Sequence, residues 1–79
     1  MNPSIIIIKM LRETWIKKRI KVISRRDELL KTGDKLTATA VEFSIDSIQE
    51  TISDLTFIIN QIESTEAHQE MINKLINKN

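Results

Sequence analysis

The chain has 79 residues, 12 basic against 11 acidic side chains and a formal net charge of +1, the size of one small domain that buries only about 60% of its unfolded surface. With no cysteine and a single histidine, His68, it has no disulfide scaffold, no thiol nucleophile and no His/Cys cluster at metal-ligand spacing. One glycine and one proline leave few tight turns, which argues against sandwiches and barrels and for an all-α fold of a few long helices.

The first predicted element is a helix over about 3–31. Asn2 can cap its free amides, and Pro3 at the first helical position loses nothing by lacking an N–H. Nothing from Ser4 to Lys31 breaks a helix. Ile8, Trp15, Val22 and Leu29 repeat every seven residues in one column, and Ile16, Ile23 and Leu30 form another. Between the two on the helical wheel lies a third column of Arg12, Arg19 and Arg26.

A turn is predicted at 32–34. Gly33 suits the left-handed residue after a helix end, and Asp34 can cap the helix that follows. A second start signal, Thr39-Ala40-Val41-Glu42, has the form of a capping box, and Leu36 to Ala40 alternates apolar and polar as a strand would. The later pattern favours helix: Ala38, Val41, Ile45, Ile48, Ile52, Leu55, Ile59 and Ile62 occupy eight successive seam positions at spacings of three and four. The second helix is therefore expected over about 35–62.

Past Ile62 the seam positions turn polar at Glu66, Gln69 and Asn73, while Ala67, Met71, Ile72, Leu75 and Ile76 lie on a rotated face. Ser64 and Thr65 can cap a third, short helix over about 66–77. The alternative is one bent, continuous helix, because no Gly or Pro enforces a break. The expected fold is thus a single all-α domain over 1–79, a long antiparallel hairpin plus a short C-terminal helix, completed as a helical bundle by self-association.

Charge is segregated along the chain. Residues 1–33 carry nine basic and three acidic side chains, net +6, and residues 34–79 carry three basic and eight acidic, net −5. An antiparallel register about Gly33 brings Arg26 near Glu42, Arg19 near Ile48 and Gln49, and Arg12 near Leu55 and Thr56, so only Arg26 meets an obvious carboxylate. The neighbouring flank of helix two, Thr37, Ser44 and Thr51, is small and uncharged. Guanidinium groups among apolar columns are costly unless paired or able to snorkel, so Arg12 and Arg19, with Lys17 and Lys18 beside them, are candidates for binding an acidic protein surface. Phe43 and Phe57 share a column with Leu36 and Glu50 on the side of helix two opposite its seam, which assigns Leu36 and Phe43 to an intersubunit or partner surface.

No Gly-rich phosphate loop or nucleophile–base pair is present, so no catalysis, cofactor or metal is expected. The acids Glu42, Asp46, Glu50 and Asp54 read as a solvated face rather than a cation site. The longest apolar run, Ile5 to Ile8, is far short of a transmembrane span, and no secretory signal pattern surrounds it. The expected compartment is the cytoplasm. Fifteen isoleucines fit an AT-rich coding genome of the kind common in bacteria, phages and mobile elements. The functional expectation is a small non-catalytic regulator or inhibitor that binds another protein, as a homo-oligomer with a dimer favoured over a trimer or tetramer. The alternative is a nucleic-acid-binding bundle using Lys17-Lys18-Arg19-Ile20-Lys21 and Arg25-Arg26, whose closely spaced cations suit backbone phosphates.

Overall fold

The computed structural model describes residues 3–77. They form two helices, α1 (Pro3–Lys31) and α2 (Lys35–Asn77), folded into an antiparallel hairpin of 71 × 15 × 13 Å. Pro3 opens α1, where its fixed φ is already helical; the capping assignment for Asn2 lies outside the described residues. At the other end Gly33 has φ of 85°. The Asp34 amide reaches back to the Leu29 carbonyl at 3.0 Å and the Gly33 amide to that of Leu30 at 3.2 Å. This is the paired pattern of a Schellman motif, and it satisfies two carbonyls that the helix end would leave open.

Asp34 starts α2 directly. Its Oδ1 accepts from the Thr37 amide at 3.1 Å, the bond expected of an N-cap, and this holds its carboxyl below the ordinary value of 3.8. The later start at Thr39 is not used, and Leu36 to Ala40 is helical rather than extended. Thr39 already sits inside the helix, donating its hydroxyl to the Lys35 carbonyl at 2.8 Å.

The separate third helix over 66–77 does not form. α2 runs unbroken for 43 residues through 62–66 to Asn77. Ser64 and Thr65 are compatible with helix when their hydroxyls find a local acceptor, and Thr65 does so, donating to the Gln61 carbonyl at 2.8 Å instead of capping a new helix. Thr14, Thr51 and Thr56 make the same bond four residues back. With no glycine or proline after Gly33, nothing enforces the break. The polar turn of the seam past Ile62 marks where α1 runs out, not where α2 stops.

The register shows this. Arg12 lies beside Thr56, so nine residues further along each helix Pro3 is level with Thr65. The last turns of α2, beyond about Glu66, project past the end of α1 with no helix beside them.

The core is one stripe between the two helices. Ala38, Ile45, Ile52 and Ile59 are 2%, 9%, 7% and 1% exposed, and Ile48 and Ile5 complete the buried set. Removing the Ile59 side chain costs about 2–5 kcal/mol, a large part of the stability of a small domain.

Two outcomes follow for the turn. A Cβ on Gly33 meets nothing within 4 Å, so Gly33→Ala suffers only the left-handed backbone cost and destabilises by about 1 kcal/mol in denaturant melts, while Gly33→Asn loses less. Asp34 has a depressed pKa in the fold, so its contribution is complete above the unfolded value and is lost as pH falls through the lower folded value. Between about pH 5 and pH 2, the difference in thermal midpoint between the parent and Asp34→Asn should therefore shrink toward acid. A constant difference across that window would show that the carboxylate is not the cap.

Candidate protein-binding surface

Each step of seven residues along α1 is matched by a step of seven along α2. Arg26 Nη1 donates to Glu42 Oε1 at 2.8 Å, Arg19 Nη1 to Gln49 Oε1 at 2.8 Å, and Arg12 Nη1 to Thr56 Oγ1 at 3.4 Å. The three heptad-spaced arginines thus form a polar ladder with three heptad-spaced partners. Only the first partner is a carboxylate, and Arg26 also forks onto Asp27 Oδ1 at 3.1 and 3.2 Å. Those bonds, to Glu42 first and Asp27 second, raise the guanidinium pKa further above its ordinary value. Lys9 and Glu63 add an ion pair at 3.4 Å near the open end.

Arg12 and Arg19 therefore reach across their own hairpin. Both are half-buried, and their charge is met by neutral oxygens. Lys17 and Lys18 are exposed, and the four cations do not share a surface: Lys17 is two positions from Arg19, about 200° around the helix. Lys18 instead lies over the Trp15 ring, its Nζ 4.9 Å from the centroid, a cation–π contact that keeps the ammonium in water.

The ladder occupies one side of the seam. On α2, the columns of Ala38, Ile45 and Ile52 and of Val41, Ile48 and Leu55 separate Glu42, Gln49 and Thr56 from the small flank Thr37, Ser44 and Thr51. On that second flank the hairpin is open. A groove of about 510 Å³ is lined by Lys18, Lys21, Val22, Arg25, Val41, Ser44, Ser47 and Ile48. Trp15, Val22, Leu29, Val41, Leu55 and Ile62, which share its columns, are all half-buried. One face of the seam is closed by polar side chains and the other stands ajar over apolar ones.

Leu36 and Phe43 are 85% and 70% exposed, outside the core of the hairpin. Phe57, Ile58, Met71 and Leu75 are exposed too, and Phe57 is not covered by any returning helix. Reasoning from the sequence passed over Lys21, Arg25 and Ser47 as groove residues. Their signal was the small flank of helix two, but the side of the seam taken by the arginine ladder is set by packing in three dimensions.

His68 is exposed, as are Asp46, Glu50 and Asp54, while Glu42 is held by Arg26. Among the described residues no group of three or more His, Cys, Asp or Glu side chains is placed to hold a metal ion, and no helix is long and apolar enough to cross a membrane.

Arg19→Lys and Arg19→Ala read the ladder. Lysine keeps the charge but loses the planar fork, so if the bond to Gln49 matters both variants lower the melting midpoint by similar small amounts. A loss only in the alanine variant would assign the effect to charge and stem packing instead.

No protein-family model matches the chain, and comparison with curated proteins and with solved structures returns no match.

Proposed function

We propose that this chain is a small non-catalytic regulator or inhibitor that works by binding another protein, and that it does so as a homo-oligomer, with a dimer favoured. The observation that carries the reading is the surface the hairpin leaves unfinished. Its accessible area is 6309 Å², whereas a compact folded chain of 9.2 kDa exposes about 4,900 Å². The excess, about 1,400 Å², falls within the range that one partner of a substantial protein interface buries. It includes a row of exposed apolar side chains on α2, from Leu36 and Phe43 through Phe57 to Met71 and Leu75. Glu50 and Ser64 interrupt this column, so the row is a series of separate apolar side chains, and apolar residues left outside one interface point to a second.

The protein partner is proposed to present an acidic surface; the cationic candidates lie on separate faces of α1, Arg12 and Arg19 on the ladder side, Lys18 on the groove rim and Lys17 on the outer side, with Leu36 and Phe43 as the apolar candidates on α2. Arg12 and Arg19 have only neutral partners in the hairpin, so each keeps an uncompensated charge that a carboxylate could meet.

A second reading, nucleic-acid binding through α1, has one observation in its favour. Lys18, Lys21 and Arg25 converge on the rim of one groove, and closely spaced cations suit phosphates.

Phe43→Ser and a heparin column separate the readings. Protein binding predicts that Phe43→Ser keeps the helical circular dichroism signal yet loses assembly or the partner co-purified from the native host, and that the parent passes through heparin at about 150 mM salt. Retention on heparin and on short duplexes, with an affinity falling steeply with salt, would replace it with the nucleic-acid reading. Loss of most helicity in Phe43→Ser would place that ring in the folding core.

A further inference from the structure

We infer that the open groove is covered by a second copy of this chain in a specific arrangement: the two-fold axis lies along the hairpin, both turns sit at the same end, and each α1 packs on the partner's α2. The inference rests on the self-association proposed above and adds the face, the symmetry and the register.

A face-to-face dimer of two such hairpins has two symmetric solutions. An axis across the hairpin stacks α1 on α1 and α2 on α2, with the turns at opposite ends. An axis along it stacks α1 on α2 twice. The charge decides between them. The stretch containing α1 carries net +6 and that containing α2 net −5, so the first solution places like against like along the whole length, and like-charge juxtaposition costs several kcal/mol. In the second every neighbouring pair of helices is oppositely charged and antiparallel.

The local pattern agrees. A two-fold axis along the hairpin leaves height unchanged, so each residue of α1 faces the partner's α2 at the height where it faces its own. Arg19 beside Gln49 fixes that height, and Lys18 on the groove rim then comes level with the partner's Glu50, which stands in the outer column of α2 with Phe43 and Phe57. Neither side chain makes an ion pair within the hairpin among the described residues. Toward the open end, exposed Leu11 of α1 comes level with the partner's Phe57.

The projecting end of α2 supplies an independent observation. Met71 and Ile72 lie in the heptad columns of Phe57 and Ile58, and Ile76 in that of Ile62. Having no α1 beside it, this segment turns its apolar stripe to the groove side, with Met71, Leu75 and Ile76 between 61% and 65% exposed. With the turns at one end, the two projecting segments leave the bundle together at the other, diagonal to each other across the two-fold axis.

The chain has no cysteine, so Thr32→Cys carries a single spin label at the exposed turn. Light scattering is read on the same sample as the dipolar distance. The expected result is a dimeric mass with an inter-label distance below about 30 Å, since interaxial spacings are 8–10 Å. A dimeric mass with labels about 40 Å apart or more, the length of α1, overturns the arrangement and leaves self-association standing. A monomeric mass overturns both.

Discussion

Two helices can shield only one stripe of each other, and every other feature of this chain depends on that limit. A helix in a globular core has an apolar face at least 100° wide, and α2 carries apolar side chains on two faces, the seam with Ala38 and Ile45 and the far side with Leu36, Phe43 and Phe57. α1 covers the first part, which is why the column of Ala38, Ile45, Ile52 and Ile59 is buried. In the next column Ile48 is buried while Val41, Leu55 and Ile62 are half-buried. The last is exposed. Burial therefore falls off around α2 as a function of angle from α1, the gradient expected when one helical layer stands in for two.

The arginine ladder gives that gradient its direction. Three guanidinium groups in the middle of an apolar face would be costly in a closed core. Here they lean to one side, onto Glu42, Gln49 and Thr56, and keep partial access to water. This side is furnished with polar partners. The opposite side has small hydroxyl side chains on α2 and an apolar floor, features that allow another helix to approach closely. The same residues that set the register of the hairpin thereby leave one face available.

Much of the fold was legible in the sequence. Gly33 and Asp34 named the turn, since only one position in the chain could supply a left-handed residue followed by a cap, and the pairing of Arg26 with Glu42, Arg19 with Gln49 and Arg12 with Thr56 follows from counting outward from it. The seam of α2 was legible because Ile and Val recur there without interruption. The continuity through Ser64 and Thr65 was not. A shift of the apolar stripe looks the same in sequence whether a helix ends or merely loses its neighbour, and the difference lies in the lengths of α1 and α2. The partners of Arg12 and Arg19 within the hairpin were less legible, because an amide and a hydroxyl, not carboxylates, accept from them. Which residues share the groove depended on the side to which the ladder leans, a property of packing rather than of spacing.

The proposed second copy would make the stability of the hairpin depend on its own concentration, because assembly draws on the folded state by mass action. The thermal midpoint of the unmodified protein, followed by circular dichroism from about 1 to 100 μM, reads this directly. The midpoint should rise steadily across that range, in step with the dimeric fraction. A midpoint that stays constant over the hundredfold range, with a monomeric mass throughout, would mean that the single stripe between α1 and α2 is core enough, and would contradict the dependence on a second copy.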